Sequence, residues 1–416
     1  EDAAAPEATG AAGHEGSPET AGHEAAAVAP VLFAAGSEQK STFAFVRGSE
    51  AFVSQHVGDL ENAEAFDAWL DAKSRFEKLF ELRATRLACD AHPEYLASKW
   101  AREQARKLDI PLVEVQHHHA HIASVIGENG LSGAVCGIAF DGTGFGADGS
   151  IWGGEVLLAN AQAYERFANF AYVPMPGGAA CVKNPLRMAY GVLWEFDLLE
   201  HPAAKRVLDA LGEQADLCDQ MIERGLNTPM TSSVGRLFDA ASAILGICEH
   251  STYESEAAVL LEAAMGLAAS PDGCSTDEAG VNSRYSVAIT KNTATSKSTA
   301  QDTSVLLFDA APTFKALLDD MQAGIPAATI ARRFHGAFVE AIVNAAKLAY
   351  SVYGVFTVAL SGGVFMNRFI IEHALAALQD EGFTVAVNRE LPPNDGCISY
   401  GQAVIACAQD ETTHDE

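Results

Sequence analysis

The feature that most constrains the fold is a strand–turn–strand unit that occurs twice. Val31–Ala35 and Thr42–Val46 are short apolar runs around the polar turn Gly36-Ser37-Glu38-Gln39-Lys40. About a hundred residues on, Ala134–Phe140 and Ile151–Leu158 flank the turn Asp141-Gly-Thr-Gly-Phe-Gly-Ala-Asp-Gly-Ser150. Apolar runs of this length bounded by Gly, Asp and Ser predict β-hairpins. Between and after them, helical periodicity alternates with further strands. The spacing predicts helices over 63–82, 93–107, 117–128, 326–350 and 396–408, with strands at 86–89, 111–115, 356–360 and 384–387. Residues 186–268 read as mostly helical. Alternating strands and helices predict an α/β class, and the repeated hairpin predicts two similar lobes.

Charge narrows the partners. The chain of 416 residues carries 27 basic and 55 acidic side chains, a net charge of −28. Nucleic acid is excluded as the main partner, because phosphate contacts need clustered Lys and Arg. Part of the excess is terminal. Residues 1–29 form an acidic stretch rich in Ala, Gly and Pro without apolar periodicity, and 410–416 close the chain with Asp410, Glu411, Asp415 and Glu416. Both are expected to be tails or linkers. Residues 269–304, rich in Ser, Thr, Asn and Asp, are expected to form an irregular insertion or an exposed hairpin. No segment has the length and apolarity of a membrane helix. Eight scattered cysteines without a CxxC pair predict buried thiols and a cytoplasmic setting.

The chemistry concentrates at His117 and His121. Four of the 13 histidines fall within 117–121, and positions i and i+4 of a helix place two imidazoles on one face, able to clamp one metal ion. Oxygen ligands would complete such a site. Asp141, ending an apolar strand, and Asp395, before the last helix, are candidates, although Asp395 and Asn394 both also suit a helix N-cap. Asp141-Gly142-Thr143-Gly144 and Leu360-Ser361-Gly362-Gly363 offer backbone amides to phosphate, with Asn367 one turn beyond. Lys40, in its hairpin turn, suits either a phosphate contact or a solvated surface position. Asp239, in an apolar helical run, suits a ribose hydroxyl or a buried cap. There is no Walker A sequence, no HExxH and no GxSxG, and no Cys or Ser stands out as an activated nucleophile.

These segments resemble the C-terminal catalytic module of the HypF carbamoyltransferases of [NiFe]-hydrogenase maturation. The resemblance is carried by Ser54 to Asn62, Cys89 to Leu96, Val115-Gln-His-His-His-Ala-His-Ile-Ala123, Ile138 to Gly146 with Ile151-Trp-Gly-Gly-Glu155, and Val173 to Gly178. It continues through Ser233 to Asp239, Arg333-Phe-His335, Leu360 to Asn367 and Asn394 to Gln402. It implies an actin-like ATPase (ASKHA) fold of two RNase-H-like lobes around a nucleotide and metal cleft. Lobe I would span 30–131, completed by 396–409, and lobe II 132–395. The metal ligands implied are His117, His121 and Asp395, with Asp141 as fourth, holding Fe, Zn or Mn rather than Mg. ATP or a carbamoyl-adenylate would lie against Lys40, Gly142, Thr143, Gly144, Asp239, Glu256, Gly362, Gly363 and Asn367.

The acceptor implied is the C-terminal cysteine of HypE, so the chain needs no nucleophile of its own. A YrdC-like domain or subunit would supply the adenylate. The acylphosphatase, zinc-finger and YrdC-like segments of whole HypF proteins have no counterpart here, and the chain opens on Glu rather than Met. An excised module or separate subunit is therefore expected. Ala179, Asn184, Leu186 and Ser255 depart from the family pattern. Related O-carbamoyltransferases, tRNA threonylcarbamoyltransferases and a non-catalytic nucleotide-binding subunit that docks HypE are the alternatives.

Overall fold

A computed structural model describes residues 30–266, 285–291 and 306–414, with side chains to residue 409. The expected N-terminal tail, most of the 269–304 insertion and the end of the acidic C-terminus lie outside the described residues. In chain order the strands of the first sheet are β1 (Val31–Ala34), β2 (Ala44–Arg47), β3 (Glu50–Val53), β4 (Arg86–Asp90) and β5 (Leu112–Val115). Those of the second are β6 (Val135–Phe140), β7 (Gly154–Ala159) and β8 (Tyr164–Phe170), then, after the two-residue pair β9 (Val173–Pro174) and β10 (Met230–Thr231), β11 (Ala288–Lys291), β12 (Leu306–Asp309), β13 (Thr357–Ser361) and β14 (Thr384–Val387).

The two sheets share one topology. The first runs β3-β2-β1-β4-β5, antiparallel through its hairpins and parallel from β1 to β5. The second repeats this as β8-β7-β6-β13-β14, with β12 and β11 added beyond β8. The repeated hairpin in the sequence is thus the first half of each sheet, and the α/β class holds, with two RNase-H-like sheets.

Three helices follow the first sheet's strands: α1 (Ala63–Leu79), α2 (Leu96–Leu108) and α3 (His117–Glu128). α1 presents Trp69 to an aromatic core with Phe33, Phe43 and Phe45. α3 leaves that layer. Its Ile122, Val125 and Ile126 pack on Val135, Ala139 and Leu157 of the second sheet. Its other face, Ala120 and Ala123, meets Ile398 and Ile405 of the C-terminal helix Ile398–His414. That helix in turn covers the first sheet through Ala403 and Ala406. The histidine-bearing helix therefore lies at the junction of the two halves, where both can contribute to one site.

Some expectations shift. α2 begins at Leu96 rather than Pro93, and residues 93–95 do not join it. Asp90 Oδ1 accepts from the His92 amide at 2.8 Å, folding residues 91–95 into a non-helical link. Strands β3, β8 and β12 and the helix Ala311–Gln322 go beyond the sequence reading.

Candidate metal and nucleotide site

The site is assembled where parallel strands end. β5 runs into α3, whose first turn carries His117, and His121 follows one turn on. β6 ends at Phe140, and Asp141 is the next residue. Asp395 opens the short 3-10 turn before the C-terminal helix. Asn394 takes the capping role there, accepting from the Gly396 amide at 3.0 Å, which leaves the Asp395 carboxylate uncommitted. The four side chains converge: one ligand atom from each of His117, His121, Asp141 and Asp395 lies within 4.8 Å of the others.

Their geometry fits a cation. Asp141 Oδ2 is 3.6 Å from Nε2 of both His117 and His121, and Asp395 Oδ1 is 3.7 and 3.9 Å away. These separations are too long for hydrogen bonds. They lie near the ~3.4 Å between ligand atoms about 2.1 Å from one tetrahedral ion. Both imidazole Nε2 atoms are buried without a hydrogen-bond partner. A buried polar atom left so is costly, and here two aim at the same point. The charges agree. Burial pushes the His117 imidazole down, yet the Asp395 and Asp90 carboxylates outweigh it and hold it well above the usual range. Asp141 is held well below the usual carboxylate range by the two imidazoles, against its burial. Four groups balanced in this way by protons suit a divalent ion in the protons' place.

The supports are specific. His117 Nδ1 meets Asp90 Oδ2 at 2.7 Å, a fully buried contact that fixes the tautomer and turns Nε2 to the centre. His121 Nδ1 lies 3.4 Å from both Cys397 Sγ and Ser361 Oγ. Asp141 Oδ1 accepts from the Gly363 amide at 2.8 Å. Its backbone carbonyl accepts from Ser233 Oγ at 2.6 Å and the Gly235 amide at 3.1 Å. Below the glycine turn, buried Glu155 accepts from Gly153 and Gly154 amides and from Ser232 Oγ, and pairs with Arg166 at 2.6 Å. Asp90, Ser233 and the Glu155–Arg166 pair escaped sequence reasoning. Asp90 had a usable signal, since it ends an apolar strand as Asp141 does.

A cleft of about 410 Å³ opens beside the four-residue cluster. Of the residues expected to bind nucleotide, Lys40, Gly142, Thr143, Gly363 and Asn367 line it, as do Asp141 and Asp395. Lys40 already pairs with Glu254 across the cleft at 2.5 Å. Asn367 caps the helix Arg368–Asp380 through Oδ1, and its amide nitrogen meets His335 Nε2 at 2.9 Å, so most of its hydrogen-bonding capacity is spent.

Gly144, Asp239, Glu256 and Gly362 fall outside the lining. Gly144 is needed for close packing, since a Cβ there would sit 2.4 Å from the His118 ring. Gly362 has φ +107° and would bring a Cβ within 2.2 Å of the Phe140 carbonyl. Glu256 turns back on its own helix start, accepting from the Thr252 amide and hydroxyl. Asp239 is buried against Arg236. Of the departures, Ala179 and Ser255 line the cleft, Ser255 with a left-handed φ of 64°, while Leu186 is core and Asn184 precedes the helix Pro185–Glu195.

Residues 27–128 match the family model of the HypF Kae1-like domain, and 137–402 match that of the second subdomain of the carbamoyltransferase Kae1-like domain. Carbamoyltransferase HypF2 of Cupriavidus necator is 37% identical over 386 residues, which are 91% of this chain and 46% of that protein. A carbamoyltransferase HypF homolog of the same organism is 35% identical, with 92% of each chain covered. A crystal structure of full-length HypF in the phosphate- and nucleotide-bound form superposes with a TM-score of 0.82 at 34% identity, over 92% of this chain and 47% of that one. The chain thus spans about half the length of most curated relatives it matches and nearly all of one. By both family models and by its identity to a relative of matching length, the chain belongs to the HypF carbamoyltransferase family and comprises the Kae1-like portion.

Proposed function

We propose that this chain transfers a carbamoyl group from carbamoyl-adenylate to a thiol, the C-terminal cysteine of HypE, in hydrogenase maturation. The observation that carries the reading is the pair of orphaned imidazole nitrogens facing two carboxylates beside a cleft of nucleotide size. The nucleotide-bound relative supports ATP chemistry in the cleft. In this reading His117, His121, Asp141 and Asp395 hold a divalent ion, with Fe, Zn or Mn favoured over Mg by the two nitrogen ligands. When bound, the ion supplies charge stabilisation for a phosphate leaving group.

The residues of the chain do the rest. The thiol gives up its proton to solvent and forms a C–S bond to the carbamoyl carbon, while the carbon–oxygen bond to phosphate breaks and AMP departs with that oxygen. Asp90 and the Gly363 amide hold the ligand set in place, so little rearrangement is needed as charge develops. Gly142 and Thr143 line the cleft, where their backbone amides would be offered to the phosphate. The apolar lining of Ile151, Met175, Phe238 and Val364 limits water that would hydrolyse the anhydride. A YrdC-like domain or subunit supplies the adenylate. The test is to incubate the chain with a YrdC-type enzyme, ATP, carbamoyl phosphate and HypE and follow the HypE thiol by mass. A carbamoyl mass gain lost in His117→Ala with His121→Ala supports the reading. No gain with the wild-type chain overturns it.

A further inference from the structure

Two cationic side chains line the cleft, Lys40 and Arg236, against the carboxylates of Asp141, Asp395, Glu254 and Glu262. A phosphate entering such a cleft needs positive charge. Lys40 is already engaged by Glu254. Arg236 is different. It sits in the first turn of the helix Val234–Ile244, is only 5% exposed, and its Nε and Nη1 have no hydrogen-bond partner. Its Nη1 lies 2.9 Å from Asp239 Oδ2, but neither atom makes a hydrogen bond, so the contact is an ion pair in poor alignment. Burial pushes the Asp239 carboxyl up to about 6, and the guanidinium only partly offsets this. The far end of the guanidinium faces the glycine turn: Nη2 is 3.4 Å from the point that a Cβ on Gly142 would occupy.

We infer that Arg236 is the cleft's phosphate anchor: its guanidinium fork grips the phosphoryl group of the nucleotide over the Gly142 turn, with Asp239 as the counter-ion that holds it there. The inference rests on the reading of the cleft as a nucleotide site. A planar guanidinium matches a phosphate oxygen pair, and a ligand that supplies acceptors to buried N–H groups relieves their desolvation. This reassigns Asp239 from a ribose contact to the support of an arginine. It also explains how an acidic cleft accepts an anion beside the proposed metal.

The test uses the full chain, Arg236→Gln and Arg236→Lys, titrated calorimetrically with AMP, inorganic phosphate and adenosine, both metal-loaded and after chelation. The expected result is a loss of about tenfold or more in AMP and phosphate affinity for Arg236→Gln, in both metal states, with adenosine unchanged. Arg236→Lys, which keeps the charge but not the fork, falls between. AMP affinity within about twofold of wild type in both variants overturns the inference and leaves the nucleotide reading standing. Parallel loss of AMP and adenosine binding also overturns it, since the role would be structural. A wild-type chain that binds none of the three ligands overturns the nucleotide reading itself, and the inference with it.

Discussion

His117 and His121 are alike in burial but unlike in what holds their outer nitrogens. His117 has a carboxylate, Asp90, at 2.7 Å, whereas His121 has only a thiol and a hydroxyl at 3.4 Å. A carboxylate on the far nitrogen fixes the tautomer and raises ligand basicity. Asp90→Asn should therefore weaken divalent-ion affinity by about 10–100-fold with the fold intact, read by competition against a chromophoric chelator. Unchanged affinity would remove Asp90 from the site. His335, which orients Asn367, is held down to about 4 by burial. An imidazole depressed in the folded state contributes stability above its ordinary value of 6.5, and that contribution fades as pH falls from about 6.5 towards 4. The stability gap between wild type and His335→Gln, measured by denaturant unfolding, should be widest near pH 7 and narrow towards pH 4.5. A gap independent of pH would contradict this.

At the scale of elements, the glycine turn between β6 and β7 depends on what lies beneath it. Glu155 is fully buried, bonds two backbone amides and a serine, and pairs with Arg166, which stacks over Trp152 at 3.8 Å. Removing one partner of a buried pair leaves an uncompensated charge. Glu155→Gln should cost about 3–5 kcal/mol in urea unfolding and loosen Asp141 with the turn. A cost under about 1 kcal/mol would show that the turn holds itself. This support was illegible in the sequence, because Glu155 and Arg166 meet only through the register of β7 on β8. The cluster was legible: the i, i+4 histidines follow from helix geometry, and Asp141 and Asp395 stand where apolar strands and helices meet. Asp239, which the sequence allows as a ribose contact or a buried cap, pairs with Arg236, and Asn367 meets His335 while lining the cleft. Which partner a buried polar side chain meets is set by tertiary packing, not by its neighbours in sequence.

Over the whole molecule, α3 and the C-terminal helix form the seam between two sheets of one topology, and the site lies on that seam. The repeated hairpin made the two-lobe architecture readable. The half-exposed edge strand β3 and the added strands β11 and β12 were not, since their short runs carry little periodicity. Across the cleft, Lys40 from the first sheet's hairpin turn pairs with Glu254, 214 residues away. Both side chains are about a third exposed, so the pair contributes little stability. Glu254→Gln should change unfolding free energy by less than about 1 kcal/mol while tightening AMP binding, because Lys40 is released towards the phosphate. Weaker AMP binding in this variant would assign Glu254 to the ligand instead. No helix among the described residues is long and apolar enough to cross a membrane.

The carbamoyl transfer proposed for this chain depends on the four-residue cluster holding a metal ion. The direct measurement is metal content by plasma mass spectrometry after reconstitution with Fe, Zn or Mn and desalting, for the wild-type chain and for His117→Ala with His121→Ala. A single ion per wild-type chain and none in the double variant is the result predicted. A wild-type chain that retains no ion, or a double variant that retains as much as wild type, would contradict it.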